Sequence, residues 1–331
     1  MVLRHVGRFV KRGPAGLSIL LSLPSVSRAA APEPAAPPGS EQARETVIQG
    51  PGGKIWTCVF GKEKPGIPLL VLHGGPGFLS LTRELAELST MRPVYFYDQL
   101  GCGRSERPAG MSKYTVDYYV RELAAVRKKL GLDKVHILGQ SWGCMLAAEY
   151  ILRERPRGVK SLILSGPLLS TPRWEADQRT NLSRMPEEVR RAVEEAEKVG
   201  EYGKEYQEAM MAYYKKHVCR LEPWPDYLTD ALGKLNTDVY LTMWGPSEFT
   251  TTGTLRSADL TERLKEIQVP VLLICGEYDE AGVETVKHFR DLLPDGALAV
   301  IPRASHCHML EQPEIFRAIV NAFLDDVEKE K

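Results

Sequence analysis

The stretch Val135-His136-Ile137-Leu138-Gly139-Gln140-Ser141-Trp142-Gly143-Cys144-Met145-Leu146 decides the fold. A short apolar run ends in Gly-x-Ser-x-Gly and passes at once into an apolar helical pattern, Cys144–Arg153, which is the strand–turn–helix setting of a nucleophile elbow. Glycines on either side of Ser141 permit a sharp turn that exposes the hydroxyl, and a helix N-terminus beyond it favours developing negative charge. Cys144, three residues on, is read as a small buried residue rather than as a thiol with chemistry.

Outward from the elbow, short β-rich runs alternate with helical patterns. Lys54–Phe60, Leu69–Leu72, Val94–Tyr97, Val135–Leu138, Ser161–Leu164, Val271–Cys275 and Ala297–Ile301 read as strands, most of them apolar throughout and hence buried on both faces. Helical periodicity covers Val116–Leu130, Cys144–Arg153 and Glu314–Glu328 between and after them. The expected architecture is α/β, a mostly parallel sheet with helices on both faces. The alternation fails between Leu168 and Gly253, where Pro186–Val199, Tyr202–His217 and Tyr227–Lys234 read as helices of an inserted cap. The expected organisation is a leader over 1–40, a first core part over 41–167, the helical cap over 168–254 and a second core part over 255–331. Trp174, Trp224, Trp244 and the cap tyrosines are residues that either line a site or pack a core, and aromaticity alone assigns them no role.

Composition excludes several classes. The 331 residues carry 43 Lys+Arg against 43 Asp+Glu, so there is no basic excess for a nucleic-acid backbone. The six cysteines have no C-x-x-C spacing, which argues against a zinc site or a disulfide framework, and neither metal nor cofactor is expected. Arg4, Arg8, Lys11 and Arg12 precede the apolar run Gly16 to Leu23 and a Pro/Ala-rich stretch without an acid before Glu33. This is the composition of a targeting leader, secretory or mitochondrial, with a cytoplasmic location if it is only a tail. The apolar run falls short of a bilayer-spanning helix, so no stable membrane insertion is expected.

A serine hydroxyl needs a base, and the base an orienting carboxylate, in the order Ser…Asp…His after such an elbow. Asp279 follows the run Val271–Cys275, at a strand's C-terminal end where α/β sites are built. Glu277 competes with it but stands closer to the strand. His306 follows Ala297–Ile301 and is the expected base; His308, two residues on, is the competitor. His73-Gly74-Gly75-Pro76-Gly77 follows the strand Leu69–Leu72 and supplies the second oxyanion donor, so the expected amides are those of Gly75 and Trp142. His73 is read as structural. Elbow, triad order and glycine loop together specify an α/β-hydrolase fold and a serine hydrolase.

The same residues resemble the proline iminopeptidase family. His73-Gly74-Gly75-Pro76-Gly77, Asp98-Gln99-Leu100-Gly101-Cys102-Gly103-Arg104-Ser105 and Gly139-Gln140-Ser141-Trp142-Gly143 stand in that family's order, and the resemblance covers most of residues 45 to 330. Gly245-Pro246-Ser247-Glu248-Phe249-Thr250 and Gly276-Glu277-Tyr278-Asp279-Glu280 are similar to the archaeal branch that trims short peptides downstream of the proteasome. The resemblance implies a serine aminopeptidase that releases N-terminal proline, or another small apolar residue, from short peptides through an acyl-enzyme. It further implies that Glu248 and Glu280 jointly bind the substrate's free α-ammonium. Cys144 departs from the small residue common at that position, and the leader departs from relatives that begin near the first strand. An amino-acid amidase or small-ester hydrolase with the same triad, and a catalytically inactive hydrolase fold that binds a partner, are the alternatives. Enzymes with an aspartate in place of Ser141 are disfavoured.

Overall fold

A computed structural model describes residues 43–110 and 112–329 together with the backbone of residues 18–20. The rest of the expected leader lies outside the described residues. The sheet strands are β1 (Ser18–Leu20), β2 (Arg44–Gln49), β3 (Lys54–Phe60), β4 (Leu69–Leu72), β5 (Val94–Tyr97), β6 (Val135–Gln140), β7 (Val159–Ser165), β8 (Val271–Gly276) and β9 (Gly296–Ile301). They hydrogen-bond in the order β1-β9-β8-β7-β6-β4-β5-β3-β2. From β5 through β9 neighbouring strands run parallel, and β2 and β3 add an antiparallel edge.

Period-two alternation turns the continuous apolar runs into two packed layers. Leu70, Leu72, Ile137, Leu162, Leu164 and Leu273 face one core with the helices Val116–Lys129, Trp142–Glu154 and Val283–Leu292. Leu69, Val71, Leu138, Ile163, Leu272 and Ile274 face the other, against Phe316, Ile319, Val320, Phe323 and Leu324 of the helix Pro313–Lys329. The expected α/β fold is therefore observed, and both faces of the central strands are buried because helices cover both.

β2 escaped the sequence reading for a physical reason. Its residues Arg-Glu-Thr-Val-Ile-Gln are almost all exposed, so no apolar pattern marks it. It is a strand because its backbone continues the ladder, from Arg44 opposite Val59 to Gln49 opposite Lys54, after the turn closed by Gly50 N–H on Gly53 O (2.9 Å).

Between β7 and β8 the chain makes the helices Thr171–Ser183, Glu187–Val199, Lys204–His217, Asp226–Gly233 and Thr237–Met243. Val189 and Val193 pack on Tyr206, Met210, Tyr213 and Phe249 in a cluster separate from both sheet cores. Thr171–Ser183 and Thr237–Met243 were not anticipated as helices. The first buries Trp174, Gln178 and Asn181 on one face, a polar face without the apolar stripe that sequence reading looks for. No helix among the described residues is long and apolar enough to cross a membrane.

Candidate active site

Ser141 sits between β6 and the helix Trp142–Glu154 with φ 54° and ψ −120°, a left-handed conformation that a non-glycine residue holds only under constraint. The constraint is steric. A Cβ on Gly139 would strike the Gly143 carbonyl, and one on Gly143 would strike the carbonyl of Leu72 in β4, so neither position admits a side chain. Strand and helix thus approach closely enough to force the turn. Cys144 is buried and its thiol donates to the Gly139 carbonyl (3.1 Å); burial pushes its pKa up, which suits packing rather than nucleophilic chemistry.

The loops after β8 and β9 bring two groups beside the elbow. His306 Nδ1 lies 2.8 Å from Asp279 Oδ1. Asp279 is buried, and its two carboxylate oxygens also accept the amides of Gly276 (3.0 Å) and Ala281 (3.0 Å). Burial alone would raise its pKa, but the charges and hydrogen bonds of His306 and His308 outweigh it and hold the carboxyl well below the usual range. The arrangement leaves Nε2 of His306 directed away from the carboxylate. The competitors make other contacts: His308 is fully buried behind the carboxylate, Nδ1 3.4 Å from Asp279 Oδ2 and Nε2 2.7 Å from Ser165 Oγ, and exposed Glu277 accepts the Arg303 amide (2.8 Å).

The loop after β4 passes close to the serine, since a Cβ on Gly74 would stand 3.1 Å from Ser141 Cβ. His73 braces it. Its Nδ1 donates to Gly74 O (2.9 Å) and its Nε2 accepts the Gln99 amide (3.0 Å), a pairing that fixes the neutral tautomer; burial lowers its pKa in the same direction. The Gln99 side chain in turn donates to His73 O (3.1 Å) and accepts the Trp142 indole N–H (2.9 Å), which ties the glycine loop to the elbow helix. The Trp142 side chain is thereby a buried strut, leaving its backbone amide for the site. Asp98 holds the next turn, accepting Ser80 N–H (2.8 Å) and both the amide and Nε of Arg104 (2.9 Å each).

Ser141, His306, Gly75, Glu248 and Glu280 all line one cavity of about 160 Å³. Its remaining wall is largely apolar and comes mostly from the insertion between β7 and β8: Trp174, Trp224, Tyr240 and Trp244 face it, whereas Tyr206 and Tyr213 pack the insertion's own core. Trp174 stands edge-on to the His306 ring, 5.7 Å between centroids. Glu248 is half-buried, and its Oε2 accepts the hydroxyls of Tyr214 (2.8 Å) and Tyr240 (2.7 Å) while Tyr206 Oη accepts its backbone amide (3.0 Å). Buried Glu280 accepts from Gln178 Nε2 (3.4 Å) and places Oε1 3.6 Å from His306 Nε2.

Sequence reading left these tyrosines without a role and missed Gln178. The helix Thr171–Ser183 grips the Asp279 loop with one face: Asp177 accepts the Gly282 amide (3.0 Å), Gln178 meets Glu280, and Asn181 donates to the Asp279 carbonyl (3.4 Å). The i, i+1, i+4 spacing of Asp177, Gln178 and Asn181 behind Trp174 was the available signal.

The family model described as the α/β hydrolase fold matches residues 67–313. The proline iminopeptidase of Heyndrickxia coagulans is 42% identical over 286 residues, which covers 86% of this chain and 99% of that protein. The proline iminopeptidase of Thermoplasma volcanium is 39% identical over 279 residues, 82% of this chain and 93% of that one. Among solved structures, the proline iminopeptidase of Mycobacterium smegmatis superposes with a TM-score of 0.78 at 34% identity, covering 87% of this chain and all of that one.

Proposed function

This chain belongs to the proline iminopeptidase family of the α/β-hydrolases, and we propose that Ser141, His306 and Asp279 carry a serine-peptidase reaction at the N-terminus of short peptides. The protein is a serine hydrolase of the prolyl aminopeptidase type. His306 Nε2 takes the Ser141 hydroxyl proton as the oxygen attacks the first peptide carbonyl, and Asp279 holds the opposite ring nitrogen. The amides of Gly75 and Trp142 receive the developing oxyanion. The imidazolium then protonates the leaving amine, water attacks the acyl-enzyme by the same base, and the N-terminal residue departs as a free amino acid.

The observation that carries this reading is the pair of carboxylates, Glu248 and Glu280, on the wall of an otherwise apolar cavity that also holds Ser141 and His306. An aminopeptidase must recognise a cation one residue's length from the scissile carbonyl, and two carboxylates in a low-dielectric pocket do so. The apolar faces of Trp174, Trp224 and Val218 suit a ring that carries no further charge.

Hydrolysis of proline, alanine and leucine β-naphthylamides is compared with that of their N-acetylated forms, with Ser141→Ala as control. Fast cleavage of the free-amine proline compound is expected, with acetylation abolishing it. Indifference to acetylation would remove Glu248 and Glu280 as specificity residues and leave a general amidase or esterase. Failure of a fluorophosphonate to label Ser141 would instead point to an inactive binding protein.

A further inference from the structure

The two glutamates of the proposed ammonium site are unlike. Glu248 is solvated by protein, two tyrosine hydroxyls on one oxygen and a third tyrosine on its amide. Glu280 accepts its long bond from Gln178, and its other oxygen lies 3.6 Å from His306 Nε2. That nitrogen is the one the reaction needs unprotonated, because Nδ1 is committed to Asp279. The substrate's cation and the catalytic base therefore share one carboxylate.

We propose that in the unliganded enzyme the His306–Glu280 pair carries one proton as an imidazolium–carboxylate ion pair, and that the incoming α-ammonium, seated between Glu248 and Glu280, displaces it to solvent and so frees the base. The inference rests on the reading of Glu248 and Glu280 as the ammonium site. Charge balances: the substrate brings one positive charge on nitrogen, the pair gives up one proton to water, and no other bond changes. The ammonium stays in place through the acyl-enzyme, so the base remains free for the attacking water as well. A peptide without a free amine would meet an enzyme whose base is still occupied.

The surroundings favour a held proton. His306 faces Asp279 and Glu280 from the loop after β8 and Glu248 from the insertion, three carboxylates, with His308 behind Asp279 and Cys307 next in the chain. Tyr213, Tyr214 and His217 approach from the helix Lys204–His217. Burial works against the imidazolium, yet Asp279 and Glu280 outweigh it and lift His306 to about 9. Burial likewise pushes Glu280 up to about 8, against the pull of His306 and with the repulsion of Glu248 and Asp279. Both directions describe the same pair retaining a proton near neutrality.

The test titrates the full chain carrying Ser141→Ala with L-prolinamide near neutral pH, by calorimetry in two buffers of unlike ionisation enthalpy. About one proton should be released per ligand bound. Adding Glu280→Gln should cut that release to a small fraction while Glu248 still supports weaker binding. Binding without proton release overturns the proposal and leaves the ammonium site standing. Binding of N-acetylprolinamide in preference to prolinamide overturns the ammonium site, and the proposal with it. The unsubstituted enzyme gives a second measurement if the glutamine variant does not fold. The acid limb of kcat/KM, which reports the empty enzyme, should lie about one pH unit or more above that of kcat, which reports the complex. Coincident limbs would refute the coupling.

Discussion

The elbow side of the site and the insertion side are held by different forces. Ser141 is placed by contacts within a few residues and across one strand: Gly139 against Gly143, Gly143 against the Leu72 carbonyl. Glu248 is placed by tyrosines from distant positions, Tyr206, Tyr214 and Tyr240, through hydroxyl hydrogen bonds. The first kind of positioning is steric and tolerates no added atom. The second is polar and distributed, so each member can be removed at modest cost. In the proposed reading, chemistry is thus built on the stiff part of the molecule, and recognition of the substrate's charge on a part whose geometry can be retuned residue by residue.

The sharpest way to test that difference is to compare losses on the two sides. Ser141→Ala should lower kcat by about 10⁴-fold or more, because the members of a triad act as a unit; single-turnover assays that retained a tenth of the activity would break the assignment. Gly143→Ala comes next. Its methyl has nowhere to go but into the β4 backbone, and overpacking of that kind costs about 3 kcal/mol, read as a lowered denaturation midpoint together with lost turnover. A variant with unchanged midpoint and rate would show that the elbow relaxes and that the steric account is wrong.

On the insertion side the losses should be smaller and selective. Glu248→Gln should lower kcat/KM for free-amine substrates by about 10²-fold, the order of a lost charge-assisted pair, and leave N-acylated esters nearly unchanged. Equal losses on both substrate types would mean that Glu248 shapes the pocket instead of reading the charge.

The same contrast explains what the sequence made legible. Leu69–Leu72 is continuous and apolar because both its faces are buried, so its bounds could be read directly. Arg44–Gln49 is exposed on nearly every side chain, and its strand character lies in backbone pairing that composition does not encode. The order of Ser141, Asp279 and His306 was readable because each follows a recognisable strand. Thr171–Ser183 was not, since its inward face spends Asp177, Gln178 and Asn181 on the Asp279 loop. Glu248 came from family resemblance, while its tyrosines meet it across as many as 42 residues of sequence, a distance over which no local pattern carries information.

The smallest effect tests the distributed side most directly. Tyr214 and Tyr240 donate to the same oxygen of Glu248, at 2.8 and 2.7 Å, so either hydroxyl alone can still solvate it. Removing one by Tyr→Phe loses a hydrogen bond to a charged acceptor, about 1.5 kcal/mol, which corresponds to roughly a tenfold rise in KM for the free-amine substrate. Removing both strips that oxygen of its two hydroxyl donors inside an apolar wall, and the double variant should lose more than the product of the single losses. KM values for Tyr214→Phe, Tyr240→Phe and the pair form a double-mutant cycle. Strict additivity would mean that the hydroxyls act independently, Tyr214 and Tyr240 serving as packing for the cavity rather than as a shared cradle for the carboxylate.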